Sequence, residues 1–303
     1  MYEELASALR GFLSPTQIMT EEPMVRHTTF QIGGAADIFA LPGSVGELIK
    51  CLRAAKEHDA PVTIMGNGSN VLVRDKGIRG LVISFGVPFS FIRLDGTKIT
   101  AGAGAILGAV SQFAAKHALG GLEFAVGIPG SLGGAVFMNA GAYGGEMSDV
   151  VRAVTALTPE GEVLRLEAGD MDFGYRHSVF QENGNIICEI ELSLSQGDAE
   201  AIRAAMADFT GRRLDKQPID RPSAGSTFKR PPGHFAGTLI EQTGLKGFSV
   251  GGAQVSEKHA GFVINTGGAT AADVLALIEE VRRRVREAHG VTLVPEVRVL
   301  GEE

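Results

Sequence analysis

The chain has 303 residues and a formal net charge of −7, a length that sets an expectation of about two domains. With 44% hydrophobic and 21% charged residues, wholesale disorder, collagen and coiled coil are excluded. The acidic balance argues against nonspecific binding to nucleic acid or to an anionic membrane surface. Composition has one anomaly: 41 glycines and no tryptophan, where average glycine usage is about 7%.

In chain order, the acidic opening MYEELASALRGFL has no basic segment leading into an apolar one, so no signal peptide is expected and the expected location is cytoplasmic. Ser44 to His58 predicts a helix with Leu48, Ile49, Leu52 and Ala55 on one face and a Ser44/Glu47 capping box. A strand at 61–65 runs into the turn GNGSN at 66–70, and VLV follows at 71–73. No helix follows this turn and Val71 stands where a third glycine would sit, which disfavours a Rossmann fingerprint. Strands are predicted at 81–85 and around 98–100, then a small-residue helix at 105–118.

Between Glu123 and Glu146 lie 22 residues whose one ionisable side chain is Tyr143. Seven glycines, Pro129 and Asn139 interrupt this stretch, which disqualifies it as a membrane helix. Strands follow at 150–158 and 185–194, and Asp198 to Leu214 reads as an amphipathic helix that opens a second region. There, 223–233 reads as loop, Gly237 to Thr243 as a short helix, and 259–265 as a strand. Thr270 to His289 reads as a capped helix stopped by Gly290, and VTLVPEVRVL at 291–300 as a closing strand. Cys51 and Cys188 make no disulfide framework.

The turn Gly66, Asn67, Gly68, Ser69, Asn70 can aim backbone N–H groups into one concavity, a nest for phosphate oxygens. A tight turn between strands explains the same pentapeptide. Gly127, Pro129, Gly130, Ser131, Gly133 and Gly134 offer a second backbone surface, and Asn139 and Gly141 continue it. Two uncharged glycine turns suit a ligand with a pyrophosphate and a flat apolar part, as in a dinucleotide. Basic residues cluster from Arg203 to Arg230, which suits a small anion. HExxH, CxxC and Walker A patterns are absent, so no metal site is expected. Arg176 after Tyr175, Ser226 in AGSTFKRP and Glu296 in the last strand are candidate chemical groups. Each also reads as an ordinary surface, loop or strand residue.

Taken together, HTTFQIGG at 27–34, MGNGSNVLV at 65–73, the glycine stretch at 121–146, YRHSVF at 175–180, KQPIDRPSAGSTFKRP at 216–231 and LVPEVRVLG at 293–301 resemble the UDP-N-acetylenolpyruvoylglucosamine reductases of bacterial cell-wall synthesis. The resemblance implies an α+β fold: an FAD-binding domain of the vanillyl-alcohol-oxidase type in two subdomains (1–196, boundary near 80–90), a substrate-binding domain (197–290) and a tail (291–303) returning to the flavin. It implies reduction of UDP-N-acetylglucosamine enolpyruvate to UDP-N-acetylmuramate, with NADPH and FAD as cofactors. Arg176, Ser226 and Glu296 match the catalytic positions: Arg176 partnering the enolate-like carboxylate, Ser226 donating the proton, and Glu296 polarising, protonated when it acts. Lys216 matches a substrate-contacting lysine, with Tyr175, Arg212, Arg213, Arg230 and His259 as further substrate-side candidates. No insertion supplies the tyrosine loop of the family's longer form, so the chain resembles the shorter type. An oxidase of the same fold and a non-catalytic nucleotide-sugar binder are the alternatives.

Overall fold

The protein, described over residues 2–303 in a computed structural model, divides into two compact units. The first comprises residues up to Thr20, Ile38–Asn67 and Gly80–Arg213; the second comprises Glu21–Asp37, Gly68–Arg79 and Leu214–Glu303. These limits differ from the sequence boundary at 196/197. Helix Ala199–Lys216 belongs to the first unit as far as Arg213, and two early segments belong with the C-terminal residues.

The first unit contains two large hydrophobic cores and a small cluster of Ala115, Ile202 and Met206. One joins helix Glu3–Arg10, through Leu5 and Leu9, to helix Val45–Glu57, through Leu48, Cys51, Leu52 and Ala55. The Ser44 hydroxyl accepts from Glu47 N–H, but the predicted box does not close, because the Glu47 carboxylate accepts instead from Gly43 N and Gln17 Nε2, both at 2.7 Å. Strand Val62–Met65 runs parallel to Ile78–Ser84, pairing Val62 with Leu81 through Met65 with Ser84. The other core lies under a five-stranded antiparallel sheet ordered Val163–Glu167, Val151–Leu157, Ile186–Ser193, Lys98–Gly102, Ile92–Asp95. Helices Leu107–Lys116 and Leu132–Phe137 contribute Leu107, Val110, Leu132 and Val136 to it, facing Ile99, Val154, Ile190 and Leu192. Cys51 and Cys188 are buried free thiols that desolvation pushes up to about 12, so neither serves as a nucleophile.

The second unit is built on a four-stranded antiparallel sheet ordered Ser223–Ser226, Phe262–Asn265, Ala253–Val255, Ser249–Val250. Helix Ala271–His289 buries Val274, Leu277, Ile278, Val281 and Val285 in its core. Its start has the predicted Thr270/Asp273 capping box, and Gly290 ends it at φ 71°. The Asp75 carboxylate accepts from Ala271 N (2.7 Å) and Ala272 N (3.0 Å), satisfying two more amides of the first turn.

The closing strand is shorter than predicted, Arg298–Leu300 instead of 291–300. Pro295 has no N–H to give a ladder. The backbone around it pairs instead with 227–229, through Lys229 N to Val294 O and Glu296 N to Thr227 O, both 2.8 Å. Beyond the proline, Arg298–Leu300 runs parallel to Val71–Val73.

Candidate active site

Within the first unit the start of the GNGSN turn, Gly66, meets Ser131 of the second glycine turn. A Cβ on Gly66 would lie 2.3 Å from Ser131 Oγ, so only glycine lets the chain pass there. Ser131 is 3% exposed and its hydroxyl accepts from Gly134 N at 3.2 Å. Among the described residues, the amides of Gly66, Asn67, Gly127, Gly130 and Ser131 donate to no protein acceptor. Ser131 is buried, Gly66, Gly127 and Gly130 are partly buried and Asn67 is exposed, so these amides line an accessible surface, and a run of them without side-chain charge fits the oxygens of a pyrophosphate. The groups present therefore fit a dinucleotide cofactor.

Arg213 adds the charge that the glycine turns lack. A Cβ on Gly127 would approach Arg213 Cδ to 2.8 Å, so the arginine lies directly on the loop. Burial pushes its guanidinium below the ordinary value, and among the described residues no carboxylate is paired with it. A desolvated cation of this kind needs an anion. Beside it, Tyr143 stacks on Phe209 with centroids 4.5 Å apart and donates from its hydroxyl to Phe209 O at 3.2 Å.

Several glycine-stretch residues have tasks inside the protein. Asn139, fully buried, donates to Glu146 Oε1 and Gly174 O, both at 3.0 Å, and accepts from Ser148 N at 2.9 Å. Gly133 provides close approach to Ala103 and Gly141 to Glu146. Pro129 lies between Gly127 and Gly130 in the same loop.

Arg176 occupies a tight turn closed by Gly174 N to His177 O (3.2 Å) and His177 N to Gly174 O (3.1 Å). Its φ of 56° is in the left-handed region, a conformation that costs a non-glycine residue about 1–3 kcal/mol and persists only where surroundings enforce it. Its guanidinium donates to Gly141 O at 2.9 Å and Asn139 O at 3.4 Å. The half-exposed Tyr175 ring lies 5.0 Å from it.

In the second unit, Ser226 is exposed at the end of edge strand Ser223–Ser226, opposite Phe262. The register shifts between Ser223 and Ser226, where Gly225 has φ 74°. Ser226 and Glu296 are brought to neighbouring positions, because Glu296 N donates to Thr227 O and Phe228 bridges Pro295. Asn70 Nδ2 donates to Glu296 O at 3.3 Å, so this side chain of the GNGSN turn anchors the tail. Gly68 contributes by packing: at φ 61°, a Cβ there would meet His27 O at 2.1 Å, and its carbonyl accepts from Thr29 N at 3.2 Å. Ser69 lies in the turn between them.

The remaining substrate-side candidates differ in availability. Lys216 is exposed at the last position of its helix. Arg212 is held by Asp208 on the helix surface, at 3.0 and 2.8 Å. Arg230 lies 3.9 Å from the centroid of the exposed Phe235 ring. His259 uses Nδ1 to accept from Gly261 N at 3.1 Å, and burial lowers its pKa, which keeps the ring neutral. Lys258 had no sequence signal; its Nζ donates to Leu214 O at 2.6 Å, near the end of the Lys216 helix.

Residues 36–167 match the family model described as an FAD binding domain, and residues 217–300 match the model for the UDP-N-acetylenolpyruvoylglucosamine reductase C-terminal domain. The chain is 50% identical over 303 residues to the UDP-N-acetylenolpyruvoylglucosamine reductase of Caldanaerobacter subterraneus, covering 100% of both chains. It is 52% identical over 297 residues to that of Agathobacter rectalis, covering 94% of each. The crystal structure of the Thermus caldophilus enzyme of the same name superposes with a TM-score of 0.80 at 37% identity, covering 94% of this chain and 98% of that one. No helix among the described residues is long and apolar enough to cross a membrane.

Proposed function

The chain belongs to the UDP-N-acetylenolpyruvoylglucosamine reductase family, and on that premise we propose how its residues divide the work. It is an FAD-dependent oxidoreductase that uses NADPH to reduce the enolpyruvyl double bond of UDP-N-acetylglucosamine enolpyruvate, in peptidoglycan synthesis. Bound FAD supplies the hydride that NADPH provides. The expected setting is the cytoplasm, where the product supports cell shape and division.

The observation that carries the assignment of the cofactor bed is the set of unpaired amides at Gly66, Asn67, Gly127, Gly130 and Ser131. They hold the FAD pyrophosphate, and Arg213 adds a cation beside Gly127. Arg176 binds the substrate carboxylate and stabilises the negative charge that grows on it as hydride adds to the neighbouring double bond. Ser226 Oγ–H donates the proton to the adjacent carbon, with solvent access to replace it. The Glu296 carboxyl, protonated, polarises the same group, while Lys216 and Arg230 bind the UDP diphosphate.

Purified protein is expected to be yellow and to oxidise NADPH only when the enolpyruvyl substrate is supplied. A colourless preparation that fails to take up FAD would sink the reading. Gly66→Ala forces a methyl group into the Ser131 hydroxyl, an overpacking worth about 1–3 kcal/mol, so FAD affinity should fall by about 10-fold or more. Flavin absorbance after gel filtration measures it, and unchanged FAD retention would remove Gly66 from the cofactor bed.

A further inference from the structure

We propose that Gln181 is a positioning residue for Arg176. The inference rests on the reading of Arg176 as the partner of the substrate carboxylate. An arginine at φ 56° in a four-residue turn is a strained arrangement, and something outside the turn must enforce it. The Gln181 side-chain amide donates to Arg176 O at 3.0 Å and to Phe137 O at 2.9 Å, with Met138 Sδ a longer contact at 3.8 Å. Phe137 ends the helix of the glycine stretch. Phe137 O also accepts from Ser178 Oγ at 2.7 Å, so the clasp is doubled from the same short segment, and Ser178 is fully buried.

The other end of the turn is held from the glycine stretch as well, by Asn139 Nδ2 donating to Gly174 O. The Arg176 backbone is thus fixed at its carbonyl by Gln181, while its guanidinium reaches Gly141 O and Asn139 O. Loss of the Gln181 donor leaves the Arg176 peptide free to rotate out of the left-handed region, which swings the guanidinium away from where charge develops. The bond to Arg176 O is the link through which the amide acts on the orientation of Arg176.

Gln181→Met keeps the length and apolar body of the side chain and removes both N–H bonds. Using the FAD-loaded enzyme, the expected result is full FAD retention, an unchanged rate of flavin reduction by NADPH, and reoxidation by the enolpyruvyl substrate slowed by about 10-fold or more, the scale of a misplaced catalytic group. A merely structural role would lower both half-reactions together or release FAD, and either result overturns the proposal. Gln181→Glu supplies a second reading. Its carboxylate lacks a donor until protonated, so its reoxidation rate relative to wild type should recover as pH falls; a ratio flat with pH counts against the clasp. Arg176→Ala separates the two levels. If it leaves reoxidation unaffected, the reading of Arg176 fails; if it slows reoxidation and Gln181→Met does not, the positioning role of Gln181 fails.

Discussion

Ser226→Ala is expected to leave flavin reduction by NADPH unchanged and to slow reoxidation by the enolpyruvyl substrate by about 10²–10⁴-fold, the usual contribution of a positioned proton donor. The structure favours a clean result. Ser226 is exposed at the end of an edge strand, and its hydroxyl makes no hydrogen bond within the protein among the described residues. Its removal therefore opens no cavity and orphans no buried group, and the strand keeps its pairing with Phe262 through backbone. Stopped-flow measurement of the two half-reactions decides it. Equal rates in both for the variant and wild type would assign the proton to another group.

Glu296→Gln should also spare FAD binding and flavin reduction while lowering reoxidation, by about 10²-fold, on the scale of losing one charge-stabilising group. Its backbone is fixed independently of the side chain, by Thr227 O and by the Asn70 amide, so the substitution changes chemistry at a held position. A glutamine can donate a hydrogen bond where a protonated carboxyl does, whereas alanine cannot. The Gln variant should therefore reoxidise faster than Glu296→Ala if the carboxyl acts in its protonated form. The opposite order would mean that its negative charge is what the reaction uses, and loss of FAD in either variant would make Glu296 a structural residue.

What could be read in the sequence was local. The Ser44/Glu47 and Thr270/Asp273 caps are each contained within four residues, and both helices begin where those caps place them. The glycine turns were legible because left-handed backbone and close approach demand a particular residue type. Contacts between distant segments leave no such mark. Asp75 satisfies a helix that begins 196 positions later, and an aspartate in a loop reads as solvated until its partner is known. The shortened last strand follows from the pairing of 294–296 with 227–229, which no periodicity encodes, although Pro295 was a local warning. Among site residues, Asn139 was read as a cofactor contact from its glycine-rich setting, yet its amide is engaged with Glu146, Gly174 and Ser148. Gln181 carried no signal, since a glutamine after an apolar pair is unremarkable by type.

The composition of the second unit bears on how the protein is made. Its core takes Phe30, Ile32 and Leu72 from segments synthesised early and joins them to Val263, Leu277 and Val281 near the end of the chain. On a ribosome the early apolar residues emerge long before their partners exist, while the first unit is completed around the loops that contain them. No contiguous stretch of the gene encodes this unit, and closing such long loops is slow and leaves apolar surface open to wrong partners meanwhile. Translation must pass Glu296, near the end of the chain, before the serine and the glutamate can be set side by side.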